Sequence, residues 1–334
     1  MQIKNILVTG GGGFLGKAII KNLLEKRCNV TSFSRNFYPE LEKIGVKQIQ
    51  GDIADKKAVT KAFENMEAVF HVAAKPGMWG AYEKFYRVNV TGTKNVISAC
   101  FTNKIKYLIH TSSPSVVFDG HDKKKIDETA PYSKRYMAFY PETKALGEKL
   151  VKKASREGLN TIILRPHMIW GPEDNHIIPR ILARTSKLKK IGKKDTLVDT
   201  IYIDNAADAH TLALVKLSEN PLLSGNIYFI SQDNPVHVWD MIDGILMAAG
   251  RPPVKGEVSE KTAYMAGAVF EFFYRLFNIQ KDPPMTRFVA VSLATSHWFN
   301  ISKAKKDLGY HPKISTKEGL ERLKQWFSTM EKKK

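Results

Sequence analysis

The chain has 334 residues, 43% of them hydrophobic, enough to bury a large core in one big domain or two unequal ones. Its net charge is +19, from 52 Lys+Arg against 33 Asp+Glu, with clusters at Lys123-Lys124-Lys125, Lys187 to Lys194 and Lys332 to Lys334. No aromatic platform or nucleic-acid module interleaves those lysines, so nucleic acid is excluded as a partner, and the cations read as solvated side chains or as an attraction to anionic lipid or substrate.

The apolar run Ile6-Leu7-Val8 closes a predicted strand over 3–8 and leads directly into Thr9-Gly-Gly-Gly-Gly-Phe-Leu-Gly16. A helix is expected from near Gly13 to about Lys26. Gly10 permits the sharp turn, Gly13 removes a Cβ where phosphate oxygens approach, and Gly16 lets the helix pack on the strand. The helix N-terminus then points N–H groups at a dinucleotide pyrophosphate. A second strand at 29–33 ends at Ser34-Arg35. A carboxylate there would bind ribose hydroxyls and repel a 2′-phosphate, whereas a hydroxyl and a guanidinium suit a phosphate. NADP(H) is therefore the preferred cofactor, with NAD(H) as second choice. Asp52 follows a third strand at 46–50 and is placed to accept from the adenine amino group. Ala73 and Ala74 follow a fourth strand at 68–72 and are small enough to let the cofactor pass.

A helix over 80–102, a strand at 106–111, a helix over 138–157 and a strand at 160–165 complete the alternation. Such a pattern predicts an α/β fold: a Rossmann-like, doubly wound parallel sheet covered by helices on both faces. After Arg165-Pro166 the regularity breaks. Segment 170–196 reads as loop and short helix, 200–203 as a return to the sheet, and 226–231 as another strand. Residues 236–330 read as mostly helical. The predicted organisation is a dinucleotide-binding domain of 1–165 plus about 197–235. A smaller substrate domain takes about 166–196 plus 236–330, and 331–334 form a basic tail.

Chemistry is expected from three residues. Tyr140 and Lys144 lie four apart in Tyr140-Pro-Glu-Thr-Lys144 and share one helix face. Tyr140 is the general acid or base. The Lys144 ammonium, with the positive charge of an oxidised nicotinamide, favours the phenolate and lowers the tyrosine pKa. Ser113 hydrogen-bonds the substrate oxygen. No metal is expected, because no ligand spacing links the histidines. His71, His110 and His210 read as packed, hydrogen-bonded core residues. Asp204-Asn205 reads as capping or pinning the turn before a helix at 206–217. Cys28 and Cys100 offer no disulfide framework and read as buried small apolar residues in a reducing compartment. With the first strand so near the N-terminus there is no room for a signal peptide, so the expected location is cytoplasmic, with membrane association open.

Thr9-Gly10-x-x-Gly13-x-x-Gly16, Asp52-Ile53, His71-Val-Ala-Ala74, Asn89-Val-Thr-Gly-Thr-Lys-Asn95, Ser112-Ser113, Tyr140-x-x-x-Lys144, Leu164-Arg-Pro166, Ile169-Trp-Gly-Pro172 and Ile203-Asp-Asn-Ala-Ala-Asp-Ala-His210 occur in that order. Together they resemble the extended short-chain dehydrogenases/reductases, and within them the 3β-hydroxysteroid dehydrogenase/isomerase group. Pro284-Met-Thr-Arg287 and His297-Trp-Phe-Asn300, with Asp307-Leu-Gly-Tyr310, are similar to the bacterial 2-alkyl-3-oxoalkanoate reductases of olefin biosynthesis. The resemblance implies that Phe14, Leu15, Ile53 and Lys75 also border the cofactor. It implies that the Pro166–Met168 backbone meets the nicotinamide carboxamide and that Asn89 sits near the active site. It further implies a homodimer through 80–102 and 138–157. The implied activity is reduction of a hydrophobic 3-oxo substrate to a 3-hydroxy product. A 3β-hydroxysteroid dehydrogenase and a sugar-nucleotide epimerase or dehydratase are the alternatives. A non-catalytic, cofactor-sensing protein has no need of Ser113, Tyr140 and Lys144.

Segment 262–278 is the most apolar helical stretch. Glu271 and Arg275 can pair on one face. The stretch reads either as a core helix or as a lid over an apolar channel in contact with membrane, with Phe272 and Phe273 on the channel.

Overall fold

Seven short segments, all but one of them mainly buried, become the strands of one sheet in the computed structural model, which describes residues 3–192 and 195–331. They are β1 (Asn5–Thr9), β2 (Asn29–Ser34), β3 (Lys47–Gln50), β4 (Ala68–His71), β5 (Tyr107–Thr111), β6 (Asn160–Pro166) and β7 (Asn226–Ile230). All neighbours are parallel, in the order β3-β2-β1-β4-β5-β6-β7. The order reverses between β1 and β4, and ligands bind outside the carboxyl ends of strands at such a point.

Strand side chains alternate between two buried faces. Ile6, Val8, Phe70, Ile109, Ile162 and Leu164 pack with α1 (Phe14–Glu25) and α5 (Ile203–Glu219). Leu7, Val69, Leu108 and Ile163 point the other way, onto α2 (Lys56–Ala62), α3 (Gly92–Thr102) and α4 (Phe139–Arg156). Burying each such side chain is worth roughly 1.5–3 kcal/mol. Cys28 and Cys100 are both buried free thiols.

Several expectations are corrected. The helix over 80–102 is interrupted: a helical turn at Tyr82–Tyr86 passes through a π-helical turn at Arg87–Thr91 into α3. The extra residue lets Asn89 turn inward, and α4 crosses so closely that a Cβ on Gly147 would lie 2.7 Å from the Asn89 carbonyl oxygen. Segment 200–203 does not rejoin the main sheet. Ile201–Tyr202 pairs only with Ile169–Trp170, because β7 already occupies the open edge of β6. Helix α5 begins at Ile203, so Asp204 and Asn205 lie in its first turn rather than before it. Asn205 instead holds the chain at Lys313–Ile314, accepting from both backbone N–H groups and donating to the Ile314 carbonyl.

The remaining elements cover the carboxyl end of the sheet. A second sheet joins Val236–His237, Leu197–Val198, His297–Phe299 and Lys123–Ile126. Part of the first lysine cluster is thus a strand, in which Lys123 pairs with Asp119 and Lys124 with Asp122. Lys193, Lys194 and the tail lysines lie outside the described residues. Helices α6 (Val238–Ala248), α7 (Glu260–Leu276), α8 (Arg287–Ala294) and α9 (Thr316–Glu331) belong to the C-terminal part.

The three histidines expected in the core are there, and two are hydrogen-bonded. His71 lies between the hydroxyls of Thr9 and Thr93, at 2.9 and 3.0 Å. His210 meets the Thr111 hydroxyl at 2.9 Å and the Ala206 carbonyl at 2.7 Å. His110 departs from the expectation, since neither ring nitrogen has a hydrogen-bond partner. Burial drives the pKa of His71 down to about 3 and that of His210 to about 4, so these rings stay neutral.

Candidate functional site

The glycine turn fits its expected task. Gly10 has φ +71°, and a Cβ there would lie 2.9 Å from the Ala73 Cα. A Cβ on Gly16 would lie 2.2 Å from the Gly10 carbonyl oxygen, so only glycine allows α1 to start this close to β1. A Cβ on Gly13 would meet only that same oxygen, at 3.2 Å, and otherwise fill the cavity in front of the helix. Gly13 is the N-cap of α1, and no side chain caps the first turn. Its N–H groups and dipole therefore face an open cradle, which fits a dinucleotide pyrophosphate. Gly12, which no ligand argument required, is forced by Tyr38: a Cβ would lie 1.9 Å from that ring.

Next to the cradle, the Ser34 hydroxyl accepts from the Gly12 N–H at 3.3 Å, and Arg35 is exposed at the rim. Asp52 accepts from the Ala54 N–H at 2.8 Å and pairs with Arg87 at 2.9 Å. Ile53 packs on Gly92, and its carbonyl accepts from Asn95 at 3.1 Å. Gly10, Gly13, Phe14, Leu15, Gly16, Ser34, Arg35, Asp52, Ile53, Ala73, Ala74 and Lys75 all line one cavity of about 870 Å³. Asn89 does not. It lies behind the wall, where its side chain accepts from the Lys75 N–H at 2.7 Å and donates to the Lys75 carbonyl and the Thr143 hydroxyl. Its contact is with the loop that carries Lys75, not with the cavity.

Ser113, Tyr140, Lys144, Pro166 and Met168 line the same cavity. Ser113 ends the extended chain after β5 and caps the short turn Pro114–Val117, its hydroxyl 2.8 Å from that of Ser115. Tyr140 lies in the first turn of α4 and hydrogen-bonds Ser113. Lys144 is buried at 4% exposure and donates to the Thr111 carbonyl at 2.6 Å. Burial lowers its pKa to about 8, opposed by the charge of Glu148. The Tyr140 pKa differs from the expectation: burial raises it, and the Ser113 hydrogen bond pulls it down only in part. The Lys144 ammonium is directed at a backbone carbonyl, so the protein's own groups keep Tyr140 a neutral hydroxyl. Met168 holds φ +44°, its carbonyl accepting from the Ile201 N–H at 3.2 Å.

Two groups of residues were missed. Glu148 lies one turn beyond Lys144 on the same face and is fully buried. It receives Arg165 at 2.5 and 3.0 Å, the Ser112 hydroxyl at 2.5 Å and the Tyr132 hydroxyl at 2.8 Å. This cluster ties α4 to β6 and to the residue before Ser113. The spacing 140, 144, 148 was a readable signal. The second group is His167 and His297 on the cavity wall, 3.2 Å apart, with His297 donating to the Ser292 carbonyl at 3.0 Å. A carbonyl only accepts, so the protons of both rings are ordered along this chain. No sequence spacing links the two.

Beyond the histidines the wall carries the apolar side chains of Met78, Phe118, Val238, Phe288, Val289 and Leu293, with Lys123, Arg180 and Ser292 also lining the cavity. Phe272 and Phe273 are absent from it. They are 62% and 47% exposed on the outer side of α7, so the channel role expected of them is corrected. The core reading of α7 is corrected too, since only Ala263, Gly267 and Glu271 of that helix are buried. Glu271 lies 3.8 Å from Arg275, but its shorter contact is with Arg287 at 2.7 Å.

A parallel sheet with an open pyrophosphate cradle, and a serine, tyrosine and lysine at its carboxyl edge, define an NAD(P)-dependent oxidoreductase of the extended short-chain dehydrogenase/reductase type. The model of the 3-beta hydroxysteroid dehydrogenase/isomerase family matches residues 7–255, and the chain belongs to that family. It is 47% identical over 333 residues to the 2-alkyl-3-oxoalkanoate reductase of Shewanella oneidensis, covering 97% of this chain and 86% of the relative. It is 33% identical over 340 residues to the decarboxylating sterol-4-alpha-carboxylate 3-dehydrogenase of Mus musculus, covering 100% of this chain and 93% of the relative. The UDP-glucuronic acid 4-epimerase from Bacillus cereus in complex with NAD matches with a TM-score of 0.75 and 22% identity, over 97% of this chain and 99% of that one. That likeness shows the shared fold alone. Among the described residues, no helix is long and apolar enough to cross a membrane, and no group of side chains could hold a metal ion.

Proposed function

We propose that this chain is an NADP(H)-dependent reductase that converts the ketone of a hydrophobic 3-oxo substrate, similar to a 2-alkyl-3-oxoalkanoate, to a 3-hydroxy product. The observation that carries the reading is one cavity with a phosphate-accepting glycine cradle at one end, Tyr140 with Ser113 and Lys144 in the middle, and an apolar wall at the other end. The name of the Shewanella oneidensis relative supports the same substrate class. The apolar side chains of that wall suit the alkyl chain of such a substrate. The 47% identity to a reductase of that class, against 22% to an epimerase, favours the reductase over a sugar-nucleotide epimerase.

Ser34 and Arg35 at the rim would hold the 2′-phosphate, and Asp52 the adenine amino group. A nicotinamide held in this cavity would supply the hydride that the carbonyl carbon needs. Tyr140 gives its phenolic proton to the carbonyl oxygen, and Ser113 donates a hydrogen bond that orients that oxygen. Lys144 supplies the positive charge that stabilises the phenolate left behind. Asn89 holds the Lys75 loop, and Glu148 holds α4, so the three groups keep their spacing. In the same reading α3 and α4 form a two-fold dimer interface, where Phe101 and Phe139 remain exposed.

The test is a screen of NADPH and NADH oxidation against long-chain 2-alkyl-3-oxo acids, 3-oxosteroids and UDP-sugars, run with the native chain and Tyr140→Phe. Turnover of the oxo acids with NADPH is expected. In the variant it should fall by about 10²-fold or more while cofactor affinity is kept. Near-native turnover in the variant, or turnover of UDP-sugars alone, would overturn the reading.

A further inference from the structure

His167 is the first residue beyond β6 and lines the cavity at the carboxyl edge of the sheet. In a sheet of this order, the two halves of a dinucleotide lie on either side of the reversal. One half falls over β1, β2 and β3, the other over β4, β5 and β6. The glycine cradle is at the end of β1, so the nicotinamide half would lie where Tyr140, Lys144 and His167 meet the cavity.

The His167 ring is held in place. It stands perpendicular to the rings of His297 and Phe299, at 90° and 87°. Its Nε2 lies 3.2 Å from His297 Nδ1, and His297 Nε2 lies 3.0 Å from the Ser292 carbonyl oxygen. Burial holds both rings below the ordinary histidine range, so each carries a single proton. The Ser292 carbonyl only accepts, so His297 keeps its proton on Nε2 and accepts at Nδ1. His167 must then donate from Nε2, which leaves its Nδ1 a bare lone pair. Among the described residues that nitrogen has no hydrogen-bond partner, yet it is not a sealed, buried atom. It opens on the cavity that His167 lines.

A lone acceptor is selective. It takes an N–H or O–H group and refuses a ketone or a carboxylate, which bring only lone pairs. An ionised 3-oxo acid therefore has nothing to offer it. A nicotinamide does, through its carboxamide N–H, and the ribose hydroxyls of that half are the other donors.

We propose that His167 Nδ1 accepts a hydrogen bond from the nicotinamide carboxamide, with His297 as the positioning residue that fixes its tautomer. The contact sets the rotation of the nicotinamide ring and thus the face turned to the carbonyl carbon. It rests on the nicotinamide reading of the cavity and is independent of the substrate.

Calorimetric titration tests this without turnover. The probes are NADP+ and its 3-acetylpyridine analogue, which carries a methyl ketone in place of the carboxamide and keeps both riboses. His167→Phe should weaken NADP+ binding by about 3- to 10-fold, the scale of one neutral hydrogen bond, and leave the analogue as before. His297→Phe frees the His167 proton to move to Nδ1 and should act likewise, whereas His297→Asn, which can accept at Oδ1, should keep most of the NADP+ affinity. NAD+ and its own analogue should show the same pattern, so a failed NADP(H) preference leaves the result readable. In the native chain, nitrogen NMR should show His167 as the Nε2–H tautomer, its Nδ1 signal moved by NADP+ and not by the analogue. Equal losses for NADP+ and the analogue in His167→Phe overturn the proposal, and they would assign the lone pair to a ribose hydroxyl or to packing. So does an Nδ1–H tautomer, or an Nδ1 signal that NADP+ leaves in place. A native chain that binds neither NADP+ nor NAD+ overturns the nicotinamide reading itself, and this contact with it.

Discussion

Lys144→Met should change stability by different amounts at low and high pH. In the folded chain the Lys144 pKa falls from 10.5 to about 8 because burial penalises its charge. That fall is worth about 3 kcal/mol. The folded pKa lies below the unfolded one, so between them the unfolded chain holds the proton more tightly. Stability from this group is therefore present above pH 10.5 and lost as pH falls through about 8. Near neutral pH the native chain carries the full cost of the buried ammonium. Methionine of similar length removes that cost but leaves the Thr111 carbonyl without its donor, a loss of about 1–3 kcal/mol. The two effects nearly cancel at about pH 7. At about pH 10 the native chain has shed most of its cost, with about 1 kcal/mol left, and the variant should be the less stable by up to about 2 kcal/mol. Urea denaturation of both chains at the two pH values measures the difference. A stability difference that does not move with pH would refute the buried, strained charge.

Arg35→Ala should weaken NADPH binding by roughly 10- to 100-fold, the equivalent of a charge-assisted hydrogen bond of about 1.5–3 kcal/mol, and leave NADH nearly unchanged. Equal losses measured by fluorescence titration would remove Arg35 from phosphate recognition. Arg165→Met should destabilise the fold by about 3–5 kcal/mol, because it leaves the Glu148 carboxylate buried without a cation. A loss under about 1 kcal/mol in urea denaturation would show that the Ser112 and Tyr132 hydroxyls satisfy the carboxylate alone.

The sheet was legible because its code is local. Most strands are short apolar runs bounded by polar residues, the edge strand Lys47–Gln50 being the exception, and each lies within a residue or two of its expected place. Ile201–Tyr202 has the same composition, yet it pairs outside the main sheet. Nothing local distinguishes it, because its partner depends on which chain already holds the edge of β6. The turn of α5 misled for a related reason. An Asp-Asn pair is a good helix cap by composition. Here Asn205 satisfies a backbone more than a hundred residues away, a contact that no local pattern encodes.

At the site, the residues carrying a pattern of their own were readable: the glycines by spacing, Tyr140 and Lys144 by one helical turn, Ser113 by its place after a strand. What sets their ionisation was not. The same helix that aligns Tyr140 with Lys144 also buries the lysine and half-buries the tyrosine, and burial acts oppositely on an acid and a base. It raises the phenol and lowers the ammonium, so each neutral form gains. Proximity in sequence suggested an activated tyrosine, whereas the folded environment holds a neutral tyrosine beside a lysine easily discharged. For reduction that is the useful state, since the tyrosine must hold its proton until the carbonyl oxygen takes it. The Lys144 charge then matters after the transfer, when a phenolate needs a counter-charge.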